Sequence, residues 1–130
     1  MSNISMEDIV QLRNLKSFPV CIACDSEDRK ILKRVYPLMQ QYVYQLMHAD
    51  FLKDVQVILF GSSLTMYCNG ESDLDLAIGT EKYDIDFFHD IRKRISSMME
   101  VECDILYLND VEQDNRILSE INHGLVIVGR

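Results

Sequence analysis

The sequence predicts one α/β (α+β) domain, a mixed β-sheet of about four strands with helices packed on it. Three observations carry this. The chain has 130 residues, room for a single hydrophobic core. Its 48% hydrophobic and 26% charged residues are the ordinary balance of a globular domain, which excludes a disordered tail or a fibrous protein. And the apolar pattern switches repeatedly between a helical period and short β-branched runs.

Ser5 and Asp8 form a capping pair, and Ile9, Val10, Leu12 and Leu15 make a short amphipathic helix that ends before Phe18-Pro19. Residues 1–25 therefore read as an N-terminal helix and connector, and 26–130 as the domain proper. Asp25 caps a helical region in which Ile31, Leu32, Val35, Leu38, Met39, Tyr42, Val43, Leu46 and Met47 recur three or four apart. That stripe is core. Pro37 interrupts it, so a kink or two abutting helices is expected. Residues 55–60 form a buried strand stopped by Gly61, and a loop or short helix at 64–67 follows. Asn69-Gly70 turns the chain into a second strand at 74–78, closed by Gly79. A helix over 84–99 presents Arg92, Lys93 and Arg94 as a solvated face near its C-terminal half. A strand at 101–108, a helix at 114–122 stopped by Gly124 and a strand at 125–128 complete the chain. The link between the first two strands is too short for a crossover helix, which favours a mixed sheet.

Thirteen basic residues against 21 acidic give a net charge of −8, which repels a phosphate backbone and argues against extensive nucleic-acid binding. No apolar run approaches the roughly 20 residues of a membrane span, and the first ten residues lack a signal-peptide pattern. A cytoplasmic protein with reduced thiols is expected from its four cysteines. Cys21 and Cys24 have the spacing of half a zinc site, but with Val20, Ile22 and Ala23 around them they read as small buried hydrophobes. His48, His89 and His123 have no ligand-like neighbours.

Chemistry concentrates elsewhere. Asp73 and Asp75 flank Leu74 on the second strand, and side chains two apart leave the same face about 7 Å apart. Bare, they repel and one holds a proton; a divalent cation removes the conflict, and an oxygen-only donor set suits Mg2+ or Mn2+. Gly61-Ser62-Ser63 follows the first strand where free N–H groups and a hydroxyl would cradle a phosphate, although the same residues also make an ordinary strand exit. Asp104 lies inside an apolar strand on the face of Glu102, Leu106 and Leu108, where a carboxylate is costly without a task. Beside the Asp73/Asp75 strand it would complete the metal site and take a proton from an attacking hydroxyl. Glu102 competes for that role from nearer the strand entrance.

Gly61-Ser62, ten intervening residues, Ser72 and then Asp73-Leu74-Asp75, with Asp104 later on an apolar strand, resembles the motif set of the DNA polymerase beta-type nucleotidyltransferase superfamily. The small members, the minimal nucleotidyltransferases, are the most similar, over residues 55–108. The resemblance implies a nucleotidyltransferase-like fold in which Gly61, Ser62, Ser63 and Ser72 bind the nucleotide and Asp73, Asp75 and Asp104 are catalytic and hold metal. It implies transfer of a nucleoside monophosphate, AMP from ATP, to a hydroxyl. Many minimal members carry Arg-Gly where this chain has Thr65 and Met66, which implies altered nucleotide handling. Larger relatives carry an acceptor-binding domain; with little chain after the last strand, either the acceptor is expected to be a protein that docks against the site or a partner subunit completes it. Antitoxins that add AMP to a tyrosine of a HEPN-type RNase toxin are the nearest implied case, an acidic surface suiting a basic toxin. A non-catalytic nucleotide-binding or protein-interaction module, or an antibiotic-modifying transferase, are the alternatives. A homo-oligomer stays open.

Overall fold

The computed structural model describes residues 25–65, 67–112 and 115–129. The expected first helix, the Cys21/Cys24 pair and Met66 lie outside them. The helices are α1 (Ser26–Leu32), α2 (Gln40–Met47), α3 (Ile85–Met98) and α4 (Arg116–Asn122), and the strands β1 (Gln56–Phe60), β2 (Leu74–Gly79), β3 (Cys103–Tyr107) and β4 (Leu125–Val128).

The broad apolar stripe of residues 31–47 is two helices, and the break has a local cause. Pro37 has no N–H and opens a 3-10 turn, Pro37–Met39. The carbonyls of Leu32 and Val35 receive the buried Gln40 side-chain amide at 2.8 and 3.0 Å. Tyr36 donates its N–H to the Ser63 carbonyl at 2.7 Å, tying the break to the loop after β1. Aspartates at two helix N-caps supply the first-turn acceptors expected of them: Asp25 for Asp28 N, and Asp84 for Phe87 N.

Among the described residues four strands form one mixed sheet in the order β3-β2-β1-β4. β1 runs antiparallel to both β2 and β4, and β2 runs parallel to β3. The short connection from β1 to β2 made the antiparallel pairing readable, whereas the β2-to-β3 connection carries α3 and permits the parallel one. Alternation then divides the side chains between two faces. Val57, Leu59, Leu74, Leu76, Ile78 and Ile105 join the main core with residues of α1, α2 and α3. Ile58, Phe60 and Ala77 face the other way, where Ile121 of α4 meets them. Among the described residues that second face carries the smaller of the two apolar clusters, and the polar residues of interest stand on it.

Three boundaries differ from the sequence reading. Where a loop or short helix was expected at 64–67, helical turning begins earlier, in a 3-10 turn at Gly61–Leu64, because the chain enters the turn directly from β1 with Gly61 at φ +80°. β3 starts at Cys103 and ends at Tyr107, since Leu108–Asp110 coils so that the Asn109 amide can exchange two hydrogen bonds with the Thr80 backbone, at 2.8 and 3.0 Å. The last helix begins at Arg116, with the Asn115 side chain accepting from Ile117 N.

Candidate active site

Parallel pairing of β2 with β3 sets Asp75 opposite Asp104. Register partners in neighbouring strands leave a sheet on the same face, so the two carboxylates stand side by side on the face of Ile58, Phe60 and Ala77. Asp104 is exposed and Asp75 half-buried. Asp73, expected within the strand, precedes it by one residue and is exposed. It is nevertheless close enough to act on Asp75.

The Asp75 carboxyl is pushed up to about 6, by burial first and then by the negative charges of Asp104, Asp73 and Glu120. The sequence expectation that one member of the cluster holds a proton more readily therefore falls on Asp75. Glu120, from α4, was not foreseen. It is exposed, and it stands near Asp75 only because Ile121 packs onto the same sheet face.

Gly61 completes the neighbourhood. Phe60 pairs with Asp75 across β1 and β2, and the chain then turns at Gly61 so tightly that a Cβ there would overlap Asp75 Oδ2. Only glycine permits this approach at a positive φ. Of the serines read as phosphate ligands, Ser62 is half-buried, and its carbonyl accepts from both the N–H and the hydroxyl of Thr65 at 2.9 and 3.1 Å. Thr65 thus braces the turn. Ser63 is fully buried, and its hydroxyl finds no hydrogen-bond partner among the described residues. Ser72 accepts from Asn69 N–H at 2.9 Å, inside a turn that also uses the Asn69 side chain, and so sets the chain just before Asp73.

Among the described residues, no group of three or more His, Cys, Asp or Glu side chains closes on a point that would hold a metal ion. Asp75 and Asp104 are register partners, and Asp73 stands one residue before the ladder that aligns them while its charge still acts on Asp75. The donor chemistry still fits a hard divalent cation: all three groups are carboxylates, and their mutual repulsion, visible at Asp75, is what such a cation relieves.

The other candidates have structural tasks. His48 Nε2 lies 2.9 Å from Asp28 Oδ2, and His123 Nδ1 lies 2.8 Å from the Ser119 carbonyl at the end of α4. The Cys103 thiol is pushed up to about 11, chiefly by burial and then by Asp73, which leaves it protonated and a poor nucleophile.

Residues 50–130 match the family model described as polymerase beta, nucleotidyltransferase. The chain belongs to this nucleotidyltransferase family. Among curated proteins none matches it. The family match spans the whole sheet and both of the helices that follow β2, so Asp73, Asp75, Asp104 and Glu120 all lie within the nucleotidyltransferase domain. Domains of this family generally use a nucleoside triphosphate and a divalent metal. No helix among the described residues is long and apolar enough to cross a membrane.

Proposed function

We propose that the protein transfers a nucleoside monophosphate, AMP from ATP, to a hydroxyl group on a partner protein. The observation that carries this reading is the register pairing of Asp75 with Asp104 on an accessible sheet face, with Gly61 pressed against the first of them. In the reaction the acceptor oxygen forms a bond to the α-phosphorus, the bond from that phosphorus to the bridging oxygen breaks, and pyrophosphate leaves. The hydroxyl proton passes to Asp104, the exposed member of the pair and the one an acceptor reaches from solvent.

Asp73, Asp75 and Asp104 are the residues that would hold Mg2+ or Mn2+, which supplies neutralisation of the triphosphate charge when bound. Gly61 and Ser62 are assigned to the triphosphate and Ser72 to the setting of Asp73. Ser63 belongs to the same turn but holds it from inside, through the carbonyl that receives Tyr36 N–H. A HEPN-type toxin is the acceptor that the family resemblance suggests, and the net charge of −8 suits a basic partner.

The test is incubation with α-labelled ATP, magnesium or manganese, and candidate acceptor proteins. Label transferred by the wild type and lost in Asp75→Asn supports the reading. ATP binding without transfer to any acceptor supports a second one, a binding module of the same fold, which the burial of Ser63 favours.

A further inference from the structure

Among the described residues β3 is an edge strand, and hollows line its outer side. Three hollows of about 380, 580 and 480 Å³ follow one another along it. The first and second share Cys103, and the second and third share Ile105. In a parallel ladder, alternate residues turn their N–H and C=O groups to the neighbour. The Glu102 carbonyl accepts from Leu74 N at 2.8 Å, so Glu102, Asp104 and Leu106 face β2. Cys103, Ile105 and Tyr107 consequently turn theirs outward, toward the hollows. An edge of this kind is a template for another strand unless something covers it.

The walls of the hollows change character along the strand. Glu100 and Glu102 border the hollow at the start of β3, Arg92 and Lys93 the middle one, and Ile85, Phe88 and Ile117 the last. Asp104 also borders the middle hollow. We propose that the acceptor polypeptide docks here as an added strand along β3, in an extended segment whose hydroxyl side chain falls beside Asp104. The proposal rests on the nucleotidyl-transfer reading only in naming that hydroxyl as the acceptor.

The walls specify the segment. It carries an apolar residue at the Ile85/Phe88 end, an acidic residue facing Arg92 and Lys93, and a basic residue facing Glu100 and Glu102. Strand addition supplies affinity through main-chain hydrogen bonds, and the pockets supply the choice of sequence. A second copy of this chain is a poorer occupant, because each copy carries a net charge of −8.

The probe is a synthetic hexapeptide of leucine, threonine, glutamate, tyrosine, valine and lysine in that order. This places the tyrosine opposite Asp104 when it lies antiparallel to β3. Two companions replace the glutamate by lysine or N-methylate alternate amides. Amide hydrogen exchange of the full chain is followed with each, alongside transfer of label from α-labelled ATP. The expected result is slowed exchange at Cys103, Ile105 and Tyr107 with the parent peptide and none with the N-methylated one. The double variant Arg92→Glu, Lys93→Glu should bind the parent at least tenfold more weakly and recover binding to the lysine-substituted peptide. Slowed exchange without label transfer keeps the docking edge and sinks the transferase reading. Transfer without slowed exchange at β3 keeps the transferase and overturns the docking edge, as does the absence of both. Protection of these amides without peptide also overturns it; dependence on protein concentration would identify a second copy as the occupant, and independence a segment of the same chain.

Discussion

Gly61 and Asp75 share a space that admits only one side chain: a Cβ on the glycine would overlap the Oδ2 of the aspartate, and the glycine backbone sits at φ +80°. Position 61 is thereby coupled to the carboxylate pair. Gly61→Ala must relax the positive φ, move Asp75, or both. The expected outcome is a stability loss of roughly 1–2 kcal/mol, the usual cost of a left-handed conformation for a residue with a side chain. Displacement of Asp75 should also lower nucleotidyl transfer by about 100-fold. Urea unfolding and the labelled-ATP assay measure the two losses separately, and a variant with unchanged transfer would show that Asp75 is free to move without consequence.

A second prediction concerns pH. Asp75 has its carboxyl pushed up to about 6 from 3.8, so between those values the folded chain holds a proton that the unfolded chain has released. Stability contributed by the protonated group is present below about 4 and is lost as pH rises through about 6. A shift of that size corresponds to about 3 kcal/mol at most. Because the carboxylate is half-buried and shielded by solvent, about 1 kcal/mol is expected. In chelator-containing buffer Asp75→Asn should be more stable than wild type by this amount at pH 7.5, and the two should coincide at pH 3.5. A gap of equal size at both pH values would assign the effect to packing instead of charge.

The sheet was readable because its strands announce themselves locally. β1 is a β-branched run ended by glycine, and β2 alternates around Leu74 and Leu76 between a turn signal and Gly79. The pairing of Asp75 with Asp104 could be anticipated, since both residues interrupt apolar strands at positions where carboxylates are costly. What remained hidden depends on how elements are placed in space. Three residues per turn in the 3-10 segment carry Ser63 inward and leave Ser62 nearer the surface, and Gly-Ser-Ser spacing alone does not distinguish the two. Glu120 meets Asp75 through the packing of Ile121 on the sheet, a tertiary relationship with no trace in the spacing of Glu120 from any other acidic residue.

Two of the three acidic neighbours of Asp75, Asp104 and Glu120, should separate by mutation. Asp104 is its register partner, assigned to accept the hydroxyl proton, whereas Glu120 is exposed on α4 and the last of the charges acting on Asp75. Removal of a general base costs about 10²–10⁴-fold, so Asp104→Asn should lose transfer to at least that lower limit. Glu120→Gln should change transfer by less than about threefold while moving the Asp75 titration downward, read by NMR of the side-chain carboxyl carbon. Comparable losses in both variants would make Glu120 part of the reacting cluster.

Tyr107 provides a prediction at the other end of β3. Its ring is buried and stacked on Phe88 at 4.6 Å between centroids. The hydroxyl oxygen accepts Asp84 N–H at 2.8 Å, at the cap of α3, and lies 2.6 Å from Thr80 Oγ1. Thr80 already gives its own proton to the Lys82 carbonyl at 2.7 Å, so the tyrosine hydroxyl must donate to Thr80. Tyr107→Phe leaves the Asp84 N–H without its acceptor and the Thr80 oxygen without its donor, while the stacking on Phe88 is retained. An unmatched buried group costs about 1–3 kcal/mol, and the loss should appear as a lowered urea midpoint with an unchanged slope. Three residue steps of extended strand, roughly 10 Å, separate Tyr107 from Asp104, so transfer should match wild type. Loss of transfer without loss of stability would place the Tyr107 hydroxyl in the chemistry of the site.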